Sequence, residues 1–74
     1  MLHRASVCAH ALEMLGFHVR RTESGIVELE RDGEVVVLPE TGAVSRTIVD
    51  RLAEAAGIDS ETFLGLLSTS PASS

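Results

Sequence analysis

The sequence predicts an α+β domain with the element order α-β-β-β-α-α. Two observations carry this. Residues 17–39, FHVRRTESGIVELERDGEVVVLP, alternate apolar and polar side chains around two glycine-containing turns, as half-buried strands joined by hairpins do. On either side of them, apolar residues recur at helical spacing, and a glycine, Gly16 or Gly57, follows the run. A three-stranded antiparallel sheet with its helices packed on one face satisfies both patterns.

The first helix is expected over residues 3–15. Successive residues about 100° apart place Cys8, Ala11, Leu12 and Leu15 on one face, with Val7 and Met14 at its border. Gly16 is the expected left-handed stop.

In the central stretch, Asp32-Gly33 is a strong signal for a two-residue type I′ hairpin, pairing Arg31 with Glu34 and Leu29 with Val36. A matching two-residue turn at Ser24-Gly25 would set Val19 against Glu30 and place apolar residues on conflicting faces. A three-residue loop, Glu23-Ser24-Gly25, avoids this by pairing Val19 with Leu29 and Arg21 with Val27, and it is the predicted register. The inner face then carries Phe17, Val19, Val27, Leu29, Val36 and Leu38. The outer face carries His18, Arg20, Thr22, Ile26, Glu28, Glu30, Val35 and Val37, with Arg20 opposite Glu28 and His18 opposite Glu30.

A short loop, residues 40–44, follows Pro39. Ser45 is the expected N-cap of the second helix, flanked by Val44 and Val49 as a hydrophobic staple, and Ile48, Val49, Leu52, Ala53 and Ala56 form its buried stripe. Gly57 ends it, with Ile58 folding back onto Ala53. Asp59 then caps a third helix, roughly residues 60–67, anchored by Phe63, Leu64 and Leu67. Residues 1–67 are read as a single domain and 68–74, STSPASS, as a disordered tail.

Composition narrows the function. At 74 residues one core only just outweighs chain entropy, and with Phe17 and Phe63 as the two aromatics, aliphatic residues must fill it. A formal charge of −5 repels phosphate backbones, which disfavours RNA as a partner. The lone Cys8, on the buried face of the first helix, excludes an internal disulfide and a multi-cysteine metal site. No apolar run approaches the roughly 20 residues of a membrane span, and charges interrupt the N-terminal apolar stretch, so a cytoplasmic protein without a signal peptide is expected.

Four pieces of the sequence, in order, match a known pattern. They are LEMLGF (12–17) at the helix-to-strand junction, Arg21 before the first hairpin, DGEVVVLP (32–39), and the helix pair IVDRLAEAAGIDSETFLGLL (48–67). The last is the most specific, an Ala-Gly-hydrophobic break followed by a capped turn and a Glu-x-Phe-Leu run. Together these resemble the HicA/YcfA-like family of small toxin ribonucleases over about residues 5–67. The resemblance implies a double-stranded-RNA-binding-like fold. It also implies messenger-RNA cleavage by a histidine in a Gly-Ser-His motif, where the first hairpin enters the second strand. Here that place reads Glu23-Ser24-Gly25-Ile26-Val27, with Ile26 where the histidine is expected. An aliphatic side chain can neither accept nor donate the proton that attack by a 2′-hydroxyl requires. After the strand-ending proline the family carries basic residues or histidine, whereas this chain has Glu40-Thr41-Gly42. Both the general base and the grip on RNA are missing from the pattern.

Other constellations are weak. His3 and His10 lie on one helix about 10 Å apart along its axis, too far to share a metal, so no metal or other cofactor is expected. His18 opposite Glu30 is the fallback for a catalytic base, with no nucleophile or oxyanion donor converging on it. Arg20 and Arg21 are the candidate contacts to nucleic acid, but neighbouring glutamates neutralise much of that charge. The better candidate is a protein-binding surface of Ile26, Val35 and Val37 with Arg20 and Glu28, apolar where a monomer's outer face should be polar. It predicts a non-catalytic binding module that meets a protein through the outer sheet face or a strand edge. The partner would be a second copy or an antitoxin-like protein.

Overall fold

The computed structural model describes residues 2–69. Its elements are β1 (Leu2–Arg4), α1 (Ala5–Met14), β2 (His18–Glu23), β3 (Ile26–Arg31), β4 (Glu34–Pro39), β5 (Ala43–Ser45), α2 (Arg46–Ala56) and α3 (Ser60–Thr69). The expected α+β architecture is present. Strands β2, β3 and β4 form a three-stranded antiparallel sheet in that order, with the helices on one face.

Both hairpins close through two residues with positive φ, Asp32-Gly33 (51° and 86°) and Ser24-Gly25 (54° and 77°). The first is the expected turn. The second corrects the predicted three-residue loop: Glu23 pairs with Ile26, Thr22 with Val27 and Arg21 with Glu28. Left alone, that register would set Val19 against Glu30 and invert the faces of β2. A bulge between Val19 and Arg21 prevents it, and pairing resumes as expected with Val19 on Leu29 and His18 on Glu30. The extra residue is thus absorbed within the strand at Arg20 instead of in the turn. Arg21 consequently joins the outer face opposite Glu28, and Thr22 leaves it.

The N-terminus departs from expectation. Residues 2–4 are not the start of a helix but a short strand, β1, paired antiparallel to β5, which was expected to be loop and N-cap. Before Ala5 there is no Ser, Thr, Asp or Asn to cap a helix, and the Ala5 N–H instead donates to the Gly42 carbonyl at 2.9 Å. Ser45 does precede α2, but its side chain makes no capping bond there.

Helices α1 and α2 end in the same way. Gly16 (φ 98°) and Gly57 (φ 78°) are left-handed. The Gly16 and Phe17 N–H groups donate back to the Glu13 and Leu12 carbonyls, and those of Gly57 and Ile58 to the Glu54 and Ala53 carbonyls. Arg31, on the inner face of β3, joins these two ends. Its guanidinium donates from Nη1 to the Leu15 carbonyl at 2.8 Å and from Nη2 to the Ala56 carbonyl at 2.9 Å, and it lies 4.7 Å from the centre of the Phe17 ring. One cation thus satisfies carbonyls at the negative ends of two helix dipoles.

The core joins α1 (Ala5, Val7, Cys8, Ala11, Leu12), the sheet (Leu29, Val36, Leu38) and the later helices (Val49, Leu52, Ala53, Ala56, Phe63, Leu67), with Phe17 and Val44 between them. Full burial of each large aliphatic or aromatic side chain contributes about 1.5–3 kcal/mol. Two expected core-side residues are exposed, Met14 at the end of α1 and Val19 on β2. Val19 shares its row with Leu29, yet it stands on an edge strand exposed along its whole length. Asp59 caps α3 as expected, accepting from the Thr62 N–H at 2.8 Å, and hydrogen bonding from the Thr62 side chain, then from that N–H, lowers its pKa. The helix runs through Ser68 and Thr69, two residues into the stretch expected to be tail; residues 70–74 lie outside the described residues.

Candidate functional site

The outer face of the sheet has three stripes, one from each strand. On β2 stand His18, Arg20, Arg21 and Glu23; on β3, Glu30, Glu28 and Ile26; on β4, Val35, Val37 and Pro39. The pairing sets Glu30 beside Val35, Glu28 beside Val37 and Ile26 beside Pro39. Because Asp32-Gly33 is a two-residue turn, Arg31 and Glu34 exchange hydrogen bonds, and the following pairs alternate. Glu30–Val35 and Glu28–Val37 are therefore pairs without hydrogen bonds, whose side chains approach most closely.

Charge accumulates on the β2 side of this face. Arg20 Nε lies 3.5 Å from Glu28 Oε1 and Arg20 Nη1 3.8 Å from Glu30 Oε1, while Arg21 pairs with Glu23. Both β3 carboxylates that adjoin the valines are thus engaged towards β2. The apolar residues of this face keep open surface: Ile26, Val35 and Val37 are 44%, 39% and 53% exposed. The five candidate partner-binding residues, Arg20, Ile26, Glu28, Val35 and Val37, therefore stand on one face, apolar along β4 and charged along β2.

The candidates for chemistry are not assembled. His18 pairs in register with Glu30, but no hydrogen bond or ion pair joins them, and Glu30 faces Arg20 instead. Ile26 directly follows the Ser24-Gly25 turn, where the resemblance implied a catalytic histidine. Arg20 and Arg21 are both drawn into ion pairs with glutamates, which removes much of the free positive charge a phosphate would meet. Burial pushes the Cys8 thiol up from its ordinary pKa and so away from the reactive thiolate. Among the described residues no group of His, Cys, Asp or Glu could hold a metal ion, and no helix is long and apolar enough to cross a membrane.

The sequence reading missed the flank of this surface. Among the described residues β4 pairs only with β3, and beside its other edge runs a groove of about 480 Å³ against α2. Val36, Ile48, Leu52 and Ala55 line it, together with Glu34, Arg51 and Glu54. Ile48 sits at the margin of the helix's apolar stripe, which was legible, but a one-dimensional pattern does not reveal which flank of a helix lies beside an open strand. No protein-family model matches this sequence, and no curated protein does.

Proposed function

We propose that the chain is a non-catalytic binding module of HicA-like type that acts through protein–protein contacts on its outer sheet face. The observation that carries this is the exposed apolar row of Ile26, Val35 and Val37, beside carboxylates already committed to Arg20. Water-exposed valines on the outer face of a sheet offer a desolvation gain that a partner can collect, while the ion pairs alongside supply a polar rim. The element order and three-stranded sheet support the resemblance to the toxin family. The aliphatic Ile26 and the unpartnered His18 support loss of its catalysis.

The test compares wild type with Ile26→Asp, which places a charge in the apolar row while leaving the free edge of β4 intact. After cross-linking in cells, wild type should retain a discrete protein, an antitoxin-like one by the resemblance, that Ile26→Asp loses. Neither form should cut RNA. Cleavage abolished by His18→Ala would replace this reading with that of a diverged ribonuclease, and RNA binding that weakens steeply with salt would replace it with that of an RNA-binding domain.

A further inference from the structure

We infer that the free edge of β4 and the groove beside it receive the β4 strand of a second copy of this chain. The inference rests on the reading as a protein-binding module and names one partner and its geometry. The two-residue turn decides which backbone groups are available. Residues 34, 36 and 38 of β4 bond to β3, and the Glu40 N–H, which donates to the Gly25 carbonyl at 2.7 Å, continues that alternation. The N–H and C=O groups of Val35 and Val37 therefore point off the open edge. Pro39 falls on the same outward side, where its missing N–H costs the β3 ladder nothing.

Natural edge strands are guarded by a bulge, by proline, by inward-pointing charge or by brevity, and of these β4 has Pro39 alone, at its last position. This one runs six residues with regular pairing, and Val35, Val36, Val37 and Leu38 are consecutive and apolar. A strand added to it must be apolar on both sides, because alternate residues lie beside Val35 and Val37 above and over Ile48, Leu52 and Ala55 below. β4 is itself such a strand. β2, HVRRTE, is not.

The edge is also complementary to itself. A two-fold axis through Val36 sets Val35 against Val37 of the other copy and Val37 against its Val35, closing four backbone hydrogen bonds in a six-stranded sheet. The same axis runs the two α2 helices antiparallel along the groove, bringing Arg51 of each copy to Glu54 of the other. Within one copy neither residue has an ion-pair partner among the described residues, although both line the groove. The groove carries Arg51 with two carboxylates, Glu34 and Glu54, none of them in an ion pair within one copy, so a two-fold rotation can set the cation of each copy against a carboxylate of the other.

Light scattering after size exclusion and sedimentation equilibrium test this on the full chain. Wild type should form a dimer whose population rises with concentration. Val35→Pro removes an outward donor and leaves the β3 ladder whole, and it should shift the protein to monomer with its circular dichroism unchanged. Arg51→Glu and Glu54→Arg should each be monomeric alone, and an equimolar mixture of the two should recover a heterodimer with both ion pairs restored. A wild type that stays monomeric up to its solubility limit overturns the inference. So does a dimer that Val35→Pro and the charge variants leave intact, or one that is lost with Ile26→Asp alone. In those cases the outer-face reading is judged separately by the partner captured with wild type and lost with Ile26→Asp. A foreign peptide bound at the β4 edge of a monomeric wild type also counts against self-pairing.

Discussion

β2 and β4 are both six-residue edge strands of one sheet, and each sets a valine beside Leu29, Val19 from one side and Val36 from the other. The two edges are nevertheless built oppositely. β2 is bulged at Arg20, exposed at every position and rich in charge. β4 is regular and apolar, and it lies beside a helix across an open groove. Val19 is 45% exposed and Val36 8%, although they share a row. A bulge and dense charge are devices by which a sheet discourages another strand, and β2 has both, whereas β4 has only Glu34 and Pro39 at its two ends. The helix layer makes the difference: α1 reaches both edge strands, but α2 packs against β4 as well and so covers Val36 more fully than Val19.

The strongest way to break this asymmetry is to release the helices from the sheet. Arg31 holds the ends of α1 and α2 with two charge-assisted hydrogen bonds and stacks on Phe17. Arg31→Ala should lower the unfolding free energy by about 2–4 kcal/mol, read by urea denaturation. Arg31→Lys should recover less than half of that, because a single ammonium cannot span both carbonyls as a planar fork does. A loss below about 0.5 kcal/mol, the scatter of an ordinary surface change, would mean that the helix layer is held over β4 by packing alone.

A smaller and more direct comparison uses the same substitution on both edges. Val36→Ala removes buried methyl groups and should cost about 1.5–2 kcal/mol. Val19→Ala removes the same atoms from an exposed position and should stay within about 0.5 kcal/mol. Equal losses in parallel denaturation curves would show that the helices support both edges alike, contrary to the exposures.

How far the sequence announced this arrangement differs between the same two edges. Along β4 the pattern was sufficient: Asp32-Gly33 sets the register, and each residue from Glu34 to Leu38 falls on its expected face. The exposure of Val35 and Val37 was legible for the same reason. Along β2 the pattern was ambiguous, since a residue surplus to the register can be absorbed in a loop or in a strand, and local turn chemistry favours Ser24-Gly25 strongly enough to push it into the strand. The helix stops at Gly16 and Gly57 and the Asp59 cap are local and were read correctly. The β1–β5 pair, the Arg31 clamp and the groove were not legible, because each brings together residues distant in the chain: Leu2 pairs with Ser45, Arg31 bonds to Ala56, and Val36 and Ile48 line one groove.

The smallest expected effect separates guarding an edge from supporting it. Arg20→Gln keeps a long polar residue at the bulge and removes the charge shared with Glu28 and Glu30. Those ion pairs, at 3.5 and 3.8 Å, stand in solvent, with the Arg20 side chain 47% exposed. Exposed pairs of this kind contribute about 0–1 kcal/mol, so the variant should lose less than about 0.5 kcal/mol. Even that loss should fade in 1 M salt, where the screening length falls to about 3 Å. A larger loss that survives high salt would mean that Arg20 holds the bulge in place, and that β2 is stabilised by the feature that closes it. If the loss is small, Glu28 and Glu30 are left without their cation beside Val37 and Val35. Partner capture should then respond more than stability does, because the carboxylates are free to crowd the apolar row they now lean away from. That split, little change in folding and a clear change in binding, is what a guarding charge predicts and a supporting one does not.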